Sequence, residues 1–188
     1  MFYLVDLPQA RDCFKRVVTR QKDNDAAFYY LAQIAGYAGQ WKESEQYLQK
    51  ALKLDPENYW YRLQQAKLAV AAGKTQEAGL LYENLWRDYP DKTELLYDRI
   101  ALYMDGHNAE KALELLDTLE GREGVTESGV LLRFNLTIDR DKEAARTLLR
   151  EYATHTPTPR VLCLLGDLEA GAGEPEKTGV YYQKAIES

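Results

Sequence analysis

The chain has 188 residues, 45% of them apolar and 29% charged, with a formal net charge of −6. That suffices for one domain, or one stack of small units, around a substantial core. The acidic balance argues against nucleic-acid binding, which needs a concentrated Lys/Arg face. No stretch approaches the roughly 20 apolar residues needed to cross a bilayer.

In chain order, residues 1–24 carry the one locally basic segment. Arg11, Lys15, Arg16, Arg20 and Lys22 stand there against Asp6, Asp12 and Asp23, a balance of +2 that reads as a solvated helix face. Cys13 lies in this segment and Cys163 lies 150 residues further on. Both sit in apolar helical patterns, where a buried thiol behaves as a small hydrophobe. A disulfide between them is not expected, and a reducing compartment is mildly favoured.

From Asp25 the chain repeats itself. Residues 25–58 align without a gap on 59–92, with glycine at the fifteenth place (Gly39, Gly73) and proline at the thirty-second (Pro56, Pro90). The small residue at the twentieth place is Ala10, Ser44, Ala78, Ala112, Ala145 and Thr178 in successive units. The bulky residue at the twenty-fourth is Phe14, Leu48, Tyr82, Leu116, Leu149 and Tyr182. The twenty-seventh place holds Val17, Ala51, Leu85, Leu119, Tyr152 and Ala185. Units are thus expected at 1–24 (partial), 25–58, 59–92, 93–125, 126–158 and 159–188 (nearly complete), in one array.

Each unit has room for two amphipathic helices and a short turn. The small residue lets the helix backbones approach, the bulky one fills the space between them, and the proline ends the second helix. Gly39, Gly73 and Gly173 suit the inner turns, where positive φ is often needed. Pro8 and Pro175 fall in the first turn of a second helix. The reading is all-α: a right-handed solenoid of tandem helix-turn-helix repeats. The frame also predicts a piece of a longer array, so that a leader or signal would lie outside it and the compartment, cytoplasm or periplasm, stays open.

This grammar resembles the tetratricopeptide repeat family over essentially the whole chain. Phe28, Leu31 and Ala32 match the family's large, leucine and small residues at places four, seven and eight, as do Leu162, Leu165 and Gly166. The unit at Thr93 keeps Leu96 and Tyr103 but puts Arg99 at the seventh place. The unit near Thr126 matches least, with Arg133 where a small residue is expected. The DPENYWY junction has a bacterial flavour.

Little in the sequence points to chemistry. His107 lies in an inter-helix turn and His155 just past a helix, neither at metal-ligand spacing nor in a Ser/His/Asp arrangement. No Walker-type loop or Gly-rich dinucleotide motif appears. Glu43, Glu45, Glu110 and Glu114 read as exposed residues near helix N-termini, where negative charge is favourable. Asn135-Leu136-Thr137 matches a glycosylation acceptor inside a predicted helix and is discounted. No enzymatic activity, cofactor or metal is expected.

In the family resembled, ligands contact the first helix of each unit, mostly at places two, five, six, nine, twelve and thirteen. That implies Tyr29, Tyr30, Gln33 and Tyr37; then Trp60, Leu63, Gln64, Lys67 and Val70; then Glu94, Tyr97, Asp98, Ala101, Met104 and Asp105. Tyr59 and Tyr61 fall at places expected to pack against the preceding helix, leaving Trp60 as the one residue of this aromatic triplet with a binding role. The family's carboxylate clamp uses basic side chains where this chain has Tyr29, Gln33, Gln64, Glu94 and Asp98, so that use is rejected. An apolar or basic peptide suits an aromatic and acidic groove better. The resemblance implies a non-catalytic protein-interaction scaffold with a protein or peptide partner, without nucleic acid or direct membrane insertion. The alternative is a structural piece whose exposed repeat ends self-associate, or a spacer in a longer envelope or regulatory protein.

Overall fold

Eleven helices and no strands make up residues 6–188, the part of the chain that the computed structural model describes. They are α1 (Leu7–Arg20), α2 (Asp25–Tyr37), α3 (Trp41–Leu54), α4 (Tyr59–Ala71), α5 (Thr75–Asp88), α6 (Glu94–Asp105), α7 (Ala109–Glu123), α8 (Glu127–Thr137), α9 (Lys142–His155), α10 (Pro159–Gly171) and α11 (Pro175–Glu187). The result is an all-α helical repeat solenoid, in which α2, α4, α6, α8 and α10 are first helices and the others second helices. Residues 1–5 of the partial first unit lie outside the described residues. The helices group into two compact units, one ending at Leu95 and the other spanning Leu96–Ser188.

Local chemistry sets the boundaries. Asn24, Asn58, Asn108, Thr126, Asp141 and Thr158 each accept a backbone N–H of the helix that they open, satisfying a donor that has no intrahelical partner. Gly39, Gly73 and Gly173 hold the inner turns at φ of 69°, 70° and 76°. His107 takes the same left-handed turn at φ 54°, a conformation that costs a side-chain-bearing residue.

The interior places of the repeat are where the frame puts them. Ser44, Ala78, Ala112 and Ala145 are buried, and so are Leu48, Tyr82, Leu116 and Leu149. Each fully buried leucine side chain contributes about 1.5–3 kcal/mol by leaving water. Ser44 keeps its hydroxyl satisfied by donating to the Ala32 carbonyl at 2.7 Å. In the first unit the core joins Phe28, Ala32, Leu48, Ala51 and Tyr61; in the second, Val130, Leu131, Phe134, Ala145, Leu149, Val161 and Leu165. At Gly166 a Cβ would fall 2.6 Å from Tyr182 Cε1, so the close helix approach depends on the missing side chain.

Several residues depart from the sequence reading. Cys13 and Cys163 are exposed free thiols rather than buried ones, because both lie on helix faces turned away from the core. Tyr182, at a core place, is partly exposed and donates to Asp167 at 2.7 Å. Glu43 is half-buried and takes the Arg11 guanidinium, which ties α1 to α3 and holds the carboxyl below its usual range. Arg133 answers the irregularity of α8: it reaches Asp117 at 2.6 Å and Glu120 at 2.8 Å on α7, while Val130, Leu131 and Phe134 supply the buried face. Glu169, 1% exposed, is a buried carboxylate invisible to the repeat pattern; the Arg150 guanidinium donates to it and Arg146 lies 3.8 Å away.

Candidate functional site

The triplet Tyr59-Trp60-Tyr61 opens α4 behind the Asn58 cap, and its three rings part company. Tyr61 is 5% exposed, packs in the first unit's core and donates to Asp25 at 2.8 Å. Burial, and then this bond to a carboxylate, push its phenol well above the ordinary tyrosine range. Tyr59 reaches the following elements: its ring lies edge-on to Tyr89 at 5.1 Å and its hydroxyl donates to Glu94 at 3.2 Å. Trp60 is 59% exposed and touches Tyr59 edge-on at 5.1 Å.

Helical spacing then defines a surface. Trp60, Gln64 and Lys67 recur at intervals of four and three and share one face of α4; Tyr29, Gln33 and Tyr37, each four apart, share one face of α2. Gln33 Nε2 donates to the Tyr29 hydroxyl at 2.8 Å, which fixes the two side chains along the helix. Where the C-terminal halves of α2 and α4 meet, a cavity of about 300 Å³ is lined by Gln33, Tyr37, Gln64 and Lys67, with Trp41 from the start of α3. Among the described residues no carboxylate lines it. Its character is aromatic and amide, with one ammonium.

Other expected residues lie elsewhere. Tyr29 is half-buried with its ring tilted against that of Tyr61 at 4.8 Å, and burial raises its phenol above the ordinary range. Tyr30 stacks on Phe14 of α1 at 5.0 Å. Leu63, expected on the open face, is buried at 8% exposure, because at this turn α4 faces its packing partners. Within the second unit Tyr97 donates to Glu123 at 2.9 Å; burial first, and then this bond, raise its phenol. Asp98 and Met104 are half-buried on α6. Trp41 escaped the sequence reading because it opens a second helix; a tryptophan directly after the Gly39-Gln40 turn was the available signal.

Among the described residues no group of three or more His, Cys, Asp or Glu could hold a metal ion. Among them, too, no helix is long and apolar enough to cross a membrane.

Residues 25–58 and residues 69–124 each match a family model described as tetratricopeptide repeat. The chain is a tetratricopeptide repeat protein. Solved structures agree on the fold. A tetratricopeptide repeat protein of Parabacteroides merdae is 21% identical, with 97% of this chain and 86% of that one covered and a TM-score of 0.62. YrrB, described as a TPR protein with an unusual peptide-binding site, is 15% identical over 93% of this chain and 91% of its own, with a TM-score of 0.60. Residues 41 to the end of MamA from Desulfovibrio magneticus are 14% identical over 87% and 93%, with a TM-score of 0.63. No curated protein sequence matches the chain. Tetratricopeptide repeat proteins are generally non-catalytic scaffolds, and the fold suggests protein or peptide partners for this one.

Proposed function

We propose that this repeat protein holds a peptide segment with apolar side chains on the first-helix faces of α2 and α4. The observation that carries the reading is the α2–α4 cavity, where Gln33, Tyr37, Gln64 and Lys67 converge with Trp41. Amide side chains can both donate to and accept from a peptide backbone. Exposed aromatic rings supply large contact area at low ordering cost, and Tyr and Trp are the side chains enriched at binding hot spots. Trp60 extends this face toward the N-terminus of α4. The peptide-binding site of YrrB, a protein of the same fold, is in keeping with such a role.

A second reading rests on α11, where Ile186 is 81% exposed and Val180 is also exposed. In that reading these apolar groups are covered by another copy, and the protein is a self-assembling structural piece.

Selection from a random peptide library on the immobilised protein tests the first reading. The comparison is a Tyr37→Ala, Trp60→Ala double variant confirmed as folded by circular dichroism. Peptides retained by the native chain and lost by the variant support the cavity. Equal retention by both, or no peptide selected at all, sinks it. Light scattering that shows oligomers abolished by Ile186→Lys would favour self-assembly instead.

A further inference from the structure

The second helices carry a cleft of their own. Between α1 and α3 an open cavity of about 740 Å³ is lined by Phe28 and Tyr47 and by four lysines, Lys15, Lys22, Lys50 and Lys53. Among the described residues no carboxylate lines it. Lys50 Nζ lies 5.4 Å from the Phe28 ring centroid and 5.7 Å from that of Tyr47, so its ammonium is held over the aromatic surface by cation–π attraction. Glu43, on the same helix, is already engaged by Arg11 and by the Tyr47 hydroxyl. The adjoining surface of α1 adds Arg16 and Arg20, with Asp12 beside them. Positive charge is therefore concentrated here in a chain whose net charge is −6.

The repeat supplies internal controls for whether the fold imposes this chemistry. In the next pair of second helices, α3 and α5, the place of Phe28 is taken by Arg62. Its guanidinium meets Asp88 at 2.6 Å and Glu57 at 3.5 Å, so charge there is neutralised from within. The corresponding cleft between α9 and α11, about 590 Å³, keeps Arg150, Leu162, Tyr181 and Lys184. Pro157 and Glu187 stand there in the places of Lys22 and Lys53. The four-lysine cleft thus belongs to these residues and not to the repeat.

We propose that the α1–α3 cleft is a second binding site, which takes an acidic peptide segment carrying one aromatic or aliphatic side chain. Carboxylates pair with the four ammonium groups, and the apolar side chain covers Phe28 and Tyr47. Each exposed ion pair contributes little in water, so affinity needs several of them together with the apolar anchor. An extended peptide satisfies both demands. A nucleic acid does not, because the lysines ring an apolar recess instead of following a track, and the rest of the protein repels a polyanion.

The probe is a fluorescein-labelled peptide of twelve residues, Asp and Glu with one central Trp, followed by anisotropy at about 50 mM and about 300 mM salt. Saturable binding that weakens with salt is expected. Lys50→Glu with Lys53→Glu, both exposed and hence compatible with folding, should weaken it at least about tenfold, since attraction becomes repulsion. Lys50→Gln with Lys53→Gln should give a smaller loss. Lys184→Glu, the same place in the α9–α11 cleft, should change it less than about twofold. Replacing the central Trp by Ser should cost at least about fivefold. Equal binding by the charge-reversed variant, or by the peptide without Trp, would overturn the proposal. So would equal losses from Lys184→Glu and the double variant, or displacement of the peptide by a lower concentration of oligouridine. Sedimentation showing a dimer that the Lys50→Glu, Lys53→Glu variant dissociates would also overturn it, by assigning the cleft to a second copy.

Discussion

His107→Gly is predicted to stabilise the protein. His107 sits at the fifteenth place of its unit with φ 54°, where Gly39, Gly73 and Gly173 have φ of 69°, 70° and 76°. A side chain in this left-handed region costs about 1–2 kcal/mol, because Cβ crowds the following carbonyl. Glycine removes that cost but adds about 0.4–1 kcal/mol of unfolded-chain entropy. His107 is exposed, so little packing is lost with its ring. The balance is a gain of roughly 0.5–1 kcal/mol, or about 1–4 °C in Tm for a chain of this length. Repeat arrays do not always unfold in one step. Amide hydrogen exchange of α6 and α7 should therefore accompany the thermal melt, with slower exchange expected there. The reciprocal control is Gly39→Ala. A Cβ at Gly39 meets nothing within 4 Å, so the expected loss of about 1 kcal/mol is purely conformational. A His107→Gly protein less stable than the native one would refute the reasoning and show that the imidazole makes a contact worth more than the turn strain.

Three further outcomes follow from the packing. Leu48→Ala should destabilise by about 2–5 kcal/mol in urea titration, whereas Trp60→Ala should cost under about 1 kcal/mol, since the leucine side chain is buried and the indole open. Glu169→Gln should cost about 3 kcal/mol, because Arg146 and Arg150 lose the buried charge that they face; Glu169→Asp, too short to reach both, should not restore it. Tyr61 has a folded-state pKa raised above the unfolded one, so its contribution is present below about pH 10 and lost as the pH rises beyond it. Alkaline titration of stability should therefore show a shallower fall in Tyr61→Phe than in the native chain, and an unchanged slope would sink that assignment.

The helical frame was legible because a repeat states its rules several times. Ser44, Ala78, Ala112 and Ala145 mark one interior place, and Leu48, Tyr82, Leu116 and Leu149 another, so each assignment is checked by the next. Periodicity also separated Tyr61 from Trp60, since neighbouring residues on a helix face different ways. It failed where one side chain acts alone. Arg133 breaks the family pattern because its partners, Asp117 and Glu120, lie on another helix, and nothing in the repeat marks Glu169, around which α9 sets two arginines. Leu63 shows the same limit from the other side: a place that is open in the family pattern is closed here. Cys13 and Cys163 were misplaced because apolar neighbours in sequence alternate around a helix and do not share its buried stripe.

The fourth place of the unit shows how one scaffold carries different surfaces. Phe28, Arg62 and Leu162 all stand there, each at the base of a junction between consecutive second helices. A guanidinium at that place reaches carboxylates of its own, Asp88 and Glu57, so its charge is met from within the chain. A phenyl ring cannot pair, so the α1–α3 junction stays open and its lysines keep their charge for something else. Leucine at the same place also leaves a cleft, but Glu187 beside Lys184 offsets the positive charge locally. Exchanging the first two, Phe28→Arg with Leu54→Asp, should therefore transplant the neutral pair into the α1–α3 junction. The prediction is that the protein folds with its helicity intact and no longer binds the acidic peptide, although all four lysines remain. Retained binding would mean that charge alone, and not the open aromatic recess, defines the surface.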